Sequence, residues 1–388
     1  MKIKKFIHNS IPVIGSKEKN YLLSALNNNE IAVGSHIQKF EDYIKNIIGA
    51  KYAVATSSGT TALHLALLVN GINKGDLVIT PNMSFIATIN PISYCNAHPV
   101  LIDVDEKTGC ISVDQLTQFL QTECEFKNKK LIHKNSRKNV KAILSVELYG
   151  HPSDMDQISK IAKKYKLKLI IDGAEALGAK YKGEYVGSKY GTCIFSFNGN
   201  KIITSGSGGM LVTNNKKEAE LARYLSNQAK EATLMFRYGD IGFNYRMANI
   251  NAALGYAQAK SLIKRLKIKR RIASNYRKIL KHDDLILWKE KEWAKSSYWI
   301  PILQFREGRL KQGISNLLFF LKEKGVEARP IWPPLDAQKP YKNSIKLSTP
   351  NCYHLYKHCI CLPSSINITE EEQNFVIAKI LQYLAIKR

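Results

Sequence analysis

The sequence predicts an α/β fold with a mostly parallel sheet between helices. Short apolar strands alternate with helical segments, the order that builds a parallel sheet covered on both faces. Seven such strands connected largely through helices place the chain in this class. The 388 residues, 45% of them hydrophobic, are enough to bury a full core without cross-links. In order, Ile37 to Ile48 reads as a helix and Tyr52 to Ala55 as a strand. Thr60 to Asn70 reads as a helix closed by Gly71, the usual left-handed stop. Leu77 to Thr80, Val100 to Asp103, Ala142 to Val146 and Leu167 to Ile171 follow as short strands, then Cys193 to Phe197 and Gly209 to Thr213. From about Asn249 the character changes to long helices, a strand near Tyr298 to Leu303 and a closing helix from Thr369. The expected division is a large domain over 1–250, whose N-terminal segment packs on the small domain, and a smaller C-terminal α+β domain over 251–388.

The formal charge of +26 is the strongest compositional anomaly. A field of that sign draws nucleic acid and acidic membranes alike. Much of the excess lies in Phe126 to Lys141, with seven Lys or Arg residues, and in Lys264 to Arg271, with six in eight positions. The second run carries Leu262, Ile263, Leu266, Ile272 and Tyr276 at helical spacing, so its cations read as that helix's wet face. Neither run interleaves aromatics as stacking platforms, which argues against nucleic acid. A basic surface still favours a diphosphate-bearing substrate. The seven cysteines are odd in number and widely spread, which argues against a disulfide framework. The basic start Met1 to His8 is followed by no apolar run, and no stretch approaches the length of a membrane span. The expectation is a soluble, cytoplasmic protein with neither a nucleic-acid nor a membrane partner.

Three stretches carry chemistry. In Phe195 to Met210 a strand runs into Asn198 and Gly199, and Lys201 follows just before a second glycine-rich turn. Phe195, Phe197, Ile202 and Ile203 imply burial on both sides, and a buried ammonium must find a partner or lose its proton. An amine with a lowered pKa condenses with carbonyl compounds; the ordinary alternative is a lysine at a strand end reaching out to water. Thr56 to Leu63 breaks at Gly59 and opens a helix, which makes either an anion site or simple Ser/Thr capping. Asp172 ends an apolar strand, where a carboxylate either points into the ligand crevice of a parallel sheet or caps a helix after the strand. An anion cradle, a strand-end acid and a buried amine in one sheet are the three things pyridoxal phosphate needs: a phosphate site, a partner for its ring nitrogen and an amine for its aldehyde.

These residues resemble the DegT/DnrJ/EryC1/StrS sugar aminotransferases. The resemblance rests on Gly59 to Leu63, Phe85 to Asn90, Tyr149 to Asp156, Asp172 to Gly178, Phe197 to Lys201, Gly242 to Arg246 and Cys361 to Ser365. It implies the aspartate-aminotransferase-like fold, type I among pyridoxal-phosphate enzymes. It also implies Lys201 and Asp172 as catalytic residues, the lysine carrying the cofactor and moving protons, the aspartate holding the ring nitrogen protonated. Gly59, Thr60 and Ser196 bind the phosphate by this resemblance, with Ser58 beside them, and Asn244 reaches the phosphate of a neighbouring subunit in a homodimer. Phe85 and Ala174 pack the ring, and Glu175 lies near the phenolic oxygen and the substrate. Ser196 to Thr204 and the insertion before Ala142 look most similar to the legionaminic-acid and bacillosamine branch, which implies L-glutamate as donor and a UDP-linked 4-keto-6-deoxy-N-acetylglucosamine as acceptor. Another nucleotide or keto position, such as the GDP-perosamine type, and a non-catalytic protein retaining the fold are the alternatives. The dehydratases of the family carry histidine where Lys201 stands.

Four positions depart from the family pattern. Glu147 and Tyr238 stand where relatives often have histidine, Ile171 where an acid is common, and Ser207 where Gly or Glu is frequent. None removes a group needed for amino transfer, but pocket-rim changes alter which sugar is accommodated. Arg329, near Trp332-Pro333-Pro334, is a candidate contact for an anionic group. His64 reads as a satisfied core histidine. Cys352, His354, His358, Cys359 and Cys361 are dense enough for zinc but read as packing positions, so no metal is expected.

Overall fold

The computed structural model describes residues 6–233, 235–310 and 312–386. The basic stretch from Met1 to Lys5 lies outside them. Two helices open the chain, α1 (Ser16–Asn27) and α2 (Ser35–Ile48), and the alternation expected from sequence comes after them. It runs through β1 (Tyr52–Thr56), α3 (Gly59–Val69), β2 (Leu77–Pro81), α4 (Ile86–Tyr94), β3 (His98–Ile102) and α5 (Val113–Thr122). A hairpin of β4 (Cys124–Lys127) and β5 (Lys130–His133) precedes β6 (Val140–Val146), α6 (Met155–Lys164), β7 (Lys168–Asp172), β8 (Thr192–Ser196), β9 (Gly209–Thr213) and α7 (Lys216–Ser226).

The long-helix region begins with α8 (Asn249–Ala259) and α9 (Leu262–Ile279), then β10 (Leu285–Leu287) and β11 (Ile302–Phe305). It continues through α10 (Gly313–Glu323), β12 (Arg329–Pro330), β13 (Ile345–Lys346), α11 (Pro350–His358), β14 (Cys359–Cys361) and α12 (Glu370–Ile386). The strand expected over Tyr298 to Leu303 therefore begins later, at Ile302, because Tyr298 has a left-handed φ of 48° that no strand accommodates.

The large sheet runs β1-β9-β8-β7-β6-β2-β3-β13, with β9 antiparallel to both neighbours and the other pairs parallel. Its seven long strands are those read from the sequence; an eighth, two residues long, comes from beyond residue 250. A hydrophobic cluster lies on each face, one around Phe40, Ile79, Ile143, Phe195 and Phe197, the other around Leu65, Val78, Leu144, Ile170 and Leu211. Adjacent residues of one strand fall in different clusters, which is why these strands read as continuous apolar runs. The antiparallel sheet β10-β11-β14-β12 has its own cluster with α10 and α12, and Ile7 bridges to Val326 beside it. No helix among the described residues is long and apolar enough to cross a membrane. All seven cysteines are buried and unpaired, and no three His, Cys, Asp or Glu residues among those described are grouped to hold a metal.

One expectation is corrected. The cations of α9 do not all face water: Arg265 and Lys269 are buried. Lys269 Nζ donates to the Trp299 carbonyl at 2.9 Å, the Ser364 carbonyl at 2.6 Å and Ser364 Oγ at 3.1 Å. Arg265 donates to the Val13 carbonyl at 3.1 Å and lies 3.4 Å from Glu18 Oε1. The helix is covered on a second side by α1 and by the segment around Ser364, a layer that an apolar stripe alone cannot reveal. Burial lowers the Lys269 pKa to about 7, so three oxygen acceptors are what make the position tolerable for an amine. Lys269→Met keeps the volume but strands the buried Ser364 carbonyl, the Trp299 carbonyl keeping Ser364 Oγ as a donor at 3.1 Å, and should lower unfolding free energy in urea by about 2 kcal/mol; a loss below about 0.5 kcal/mol would show that these bonds hold nothing.

Candidate active site

The parallel strands β6, β7 and β8 end at Val146, Asp172 and Ser196, and these carboxyl ends open into one cavity of about 500 Å³, within the usual range for a small-molecule site. Ser58, Gly59, Thr60, Phe85, Ala174, Glu175, Lys201, Arg329 and Trp332 also line it. Every site residue singled out from sequence is therefore there except Asn244, which is exposed and bridges to Asn227.

Lys201 reaches the cavity because Asn198 and Gly199 turn the chain after β8: the Gly199 N–H donates to Asn198 Oδ1 at 2.7 Å and the Lys201 N–H to the Asn198 carbonyl at 3.0 Å. The Lys201 side chain is 13% exposed, its Nζ 3.6 Å from Glu175 Oε1 and 3.8 Å from the centroid of the Trp299 ring. Burial lowers its pKa, opposed by Glu175 and Asp172. The indole is itself fixed, Nε1 donating to the Asn200 carbonyl at 2.7 Å.

Asp172 is buried at its strand end. Thr88 Oγ1 donates to Oδ2 at 2.7 Å, and the Ala174 N–H donates to Oδ1 at 3.1 Å. Burial raises its pKa, while those two donors and Lys201 favour the carboxylate. Glu175 accepts from the Tyr149 N–H at 2.7 Å and from Trp332 Nε1 at 3.1 Å. Tyr149 has a φ of 51°, and its hydroxyl accepts from the Trp332 N–H at 2.8 Å. Trp332 also packs against Phe85, whose ring is 49% exposed at the cavity mouth, with centroids 4.8 Å apart.

The start of α3 forms the third wall. Ser58 caps it, accepting the Thr61 N–H at Oγ and the Ala62 N–H at its carbonyl, both at 3.1 Å. Capping leaves room for an anion, since a helix start leaves four N–H groups over and those of Gly59 and Thr60 remain beside Ser196. A Cβ on Gly59 would sit 2.9 Å from the Ser196 Cβ, so glycine lets the helix start approach the end of β8. An anion cradle, a buried amine and a buried carboxylate in one cavity fit pyridoxal phosphate: Gly59, Thr60 and Ser196 for its phosphate, Lys201 for its aldehyde, Asp172 for its ring nitrogen.

Sequence reading missed Thr88, Trp299, Trp332 and Tyr149 as parts of the site. Thr88 had a local signal, lying three residues after Phe85 and so one helical turn on. The others are brought in by tertiary packing. His64 is the buried, satisfied histidine expected, its Nδ1 3.2 Å from the Tyr245 hydroxyl and its pKa lowered to about 4 by burial.

Glu147, where relatives often have histidine, lies under the site. Its N–H donates to the Asp172 carbonyl at 3.0 Å; its carboxylate accepts from Ser145 Oγ at 3.1 Å and from the Ser153 N–H. Burial pushes its pKa up from an ordinary 4.5 to about 7. The folded chain then binds a proton between those values that the unfolded chain has released, so stability falls as pH rises through this window. Glu147→Gln should flatten that fall, which is on the order of 3 kcal/mol, in urea titrations from pH 5 to 8; an unchanged profile would rule out this carboxyl as its source.

Comparison with known proteins agrees with this geometry. A model of the DegT/DnrJ/EryC1/StrS aminotransferase family matches residues 12–381. EpsN of Bacillus subtilis (strain 168), provisionally named a pyridoxal phosphate-dependent aminotransferase, is 37% identical over 97% of this chain and 95% of its own. The GDP-perosamine synthase of Escherichia coli O157:H7 is 36% identical over 99% of this chain and 100% of its own. Among solved structures, PseC of Helicobacter pylori, an aminotransferase of pseudoaminic acid biosynthesis, superposes with a TM-score of 0.87 at 24% identity, covering 98% of this chain and 100% of its own. By the span of the family match and the identity to these relatives, the chain belongs to the DegT/DnrJ/EryC1/StrS aminotransferase family, and pyridoxal phosphate is the cofactor of its amino transfer.

Proposed function

We propose that this sugar aminotransferase moves an amino group from L-glutamate to the keto carbon C4 of a nucleotide-linked 4-keto-6-deoxy sugar, for surface glycan synthesis. The observation that carries the reading is the meeting of Lys201, Asp172 and the start of α3 in one cavity. Bound pyridoxal phosphate supplies an electron sink for the carbanion that amino transfer requires. Lys201 then has two tasks. It would hold the cofactor by its aldehyde, and when free its Nζ would take the proton from the donor's α-carbon and deliver one to the sugar C4. Burial, opposed by Glu175 and Asp172, lowers its pKa, the direction that suits an amine acting as a base. Asp172, whose carboxylate form Thr88 and Ala174 favour against burial, would face the ring nitrogen. Gly59, Thr60 and Ser196 hold the phosphate, Phe85 and Ala174 confine the ring, and Glu175, 3.6 Å from Lys201 Nζ, lies near the phenolic oxygen and the substrate. Arg329, at the rim and paired with Glu327 at 2.5 Å, offers a cation to an anionic part of donor or acceptor.

The acceptor favoured by the sequence motifs is a UDP-linked 4-keto-6-deoxy-N-acetylhexosamine of the bacillosamine or legionaminic-acid type. The 36% identity to a GDP-perosamine synthase favours a second reading, a GDP-linked keto sugar. A homodimer completes the site in this proposal, with Asn244 reaching the partner's phosphate cradle. Its support is the segment before Asn244, where Met235, Phe236, Tyr238 and Ile241 are all exposed, an apolar patch that association would cover. We place the enzyme in the cytoplasm, where nucleotide sugars are made.

Incubation of the cofactor-loaded protein with glutamate and, separately, UDP- and GDP-linked 4-keto-6-deoxy sugars, with product mass and NMR, tests the proposal. Amination at C4 of the UDP sugar is the expected result; turnover of the GDP sugar alone transfers the assignment to the second reading, and amination of neither overturns it. Asp172→Asn should lower kcat at least about 10²-fold while the protein still binds the cofactor, and a loss below about threefold would remove Asp172 from the chemistry.

A further inference from the structure

The catalytic cavity opens at the carboxyl ends of the parallel strands, so the amino ends form the opposite edge of the sheet. That edge is cationic. The β4–β5 hairpin presents Lys127, Lys129, Lys130 and Lys134 to solvent, and it is tied to the base by the Ile132–Asn139 bridge just before β6 begins. The end of α6 and the start of β7 present Lys163, Lys164, Lys166 and Lys168. Phe126 joins the two groups, stacking on Tyr165 with the rings 6° from parallel and 6.2 Å between centroids. Lys74 before β2 and Lys189 before β8 extend the same edge. Along the chain these cations look like separate runs on unrelated segments; the topology collects them.

The carboxylates at this edge, Glu125, Asp76 and Glu123, are too few to neutralise its lysines. Glu125 is taken by Arg137 at 3.1 Å. Asp76 accepts from Asn139 Nδ2 at 2.9 Å and from the Asn73 N–H at 3.0 Å. Glu123 is half-buried. Among the described residues no ion pair forms at Lys127, Lys129, Lys130, Lys163, Lys164, Lys166 or Lys168.

Against the expectation of no membrane partner, we propose that this base is a docking surface for an anionic phospholipid bilayer, which the enzyme touches peripherally while the cavity at the other edge stays open to soluble substrates. The cations are lysines, with Arg137 already paired; compact ammonium charges suit mobile lipid headgroups, whereas nucleic-acid phosphates are commonly gripped by planar guanidinium groups. One aromatic lies among them rather than a row of stacking platforms. Phe126 is 52% exposed at the level of the lysines, the arrangement in which a ring enters the headgroup region while cations stay with the phosphates. The inference is independent of which sugar is aminated.

Sedimentation of the cofactor-loaded protein with vesicles tests it. At low salt the protein should pellet with phosphatidylglycerol/phosphatidylcholine vesicles, stay soluble with pure phosphatidylcholine, and be released by salt. The variant K127E/K130E/K163E/K164E should lose at least about a hundredfold in vesicle affinity and keep its amination rate in solution. The variant K264E/K267E/R271E/K278E changes the net charge equally on the exposed side of α9 and should keep binding. F126A should bind more weakly than the parent. Absence of binding to anionic vesicles overturns the proposal. So does equal loss in both quadruple variants, which would reduce the effect to net charge, and so does tighter binding of single-stranded RNA than of anionic vesicles through the same lysines.

Discussion

The site depends on holding one amine out of water against two carboxylates. Lys201 Nζ is 3.6 Å from Glu175 Oε1 and lies over the Trp299 ring. Burial pulls the amine towards its neutral form and the carboxyls towards theirs, while their mutual attraction opposes both. A lysine with full access to water would stay protonated near neutral pH and could not act as nucleophile or base. An amine buried without the carboxylates would lack the field that lets it pick up a proton when the chemistry releases one.

The rest of the structure keeps those groups in place. Each carboxylate is tied by neutral donors, Asp172 by Thr88 and Ala174, Glu175 by Tyr149 and Trp332, so neither turns fully onto the lysine. Trp299, which covers the amine, is fixed at its indole by Asn200 and at its carbonyl by the buried Lys269. The parallel sheet sets Asp172, Ser196 and the start of α3 at one edge, and Gly59 lets the helix start approach Ser196 closely. Trp332 connects Phe85 at the mouth to Glu175 beside the amine.

The parts legible in the sequence were those with local causes. Strand-to-turn chemistry around Asn198 and Gly199 marked Lys201, the strand end marked Asp172, and the glycine break marked the start of α3; all three meet in the cavity. The seven long strands were legible because apolar runs between helical segments admit few other folds. Trp299 and Trp332 were not, since each meets most of its partners across a long stretch of chain and neither stands in a patterned context. The wet-face reading of Lys269 failed because an apolar stripe reports one contact side, and a second layer from α1 and the Ser364 segment covers another. The cationic base was hidden for a related reason, since separate lysine runs become one surface only after the strands align.

The most direct test is chemical. Reduction of the cofactor-loaded protein with sodium borohydride, then proteolysis and peptide mass mapping, reports which side chain carries the cofactor. The account predicts a phosphopyridoxyl group on Lys201 and none in the Lys201→Ala protein. Labelling of another lysine, or full amino-transfer turnover by Lys201→Ala, would contradict it.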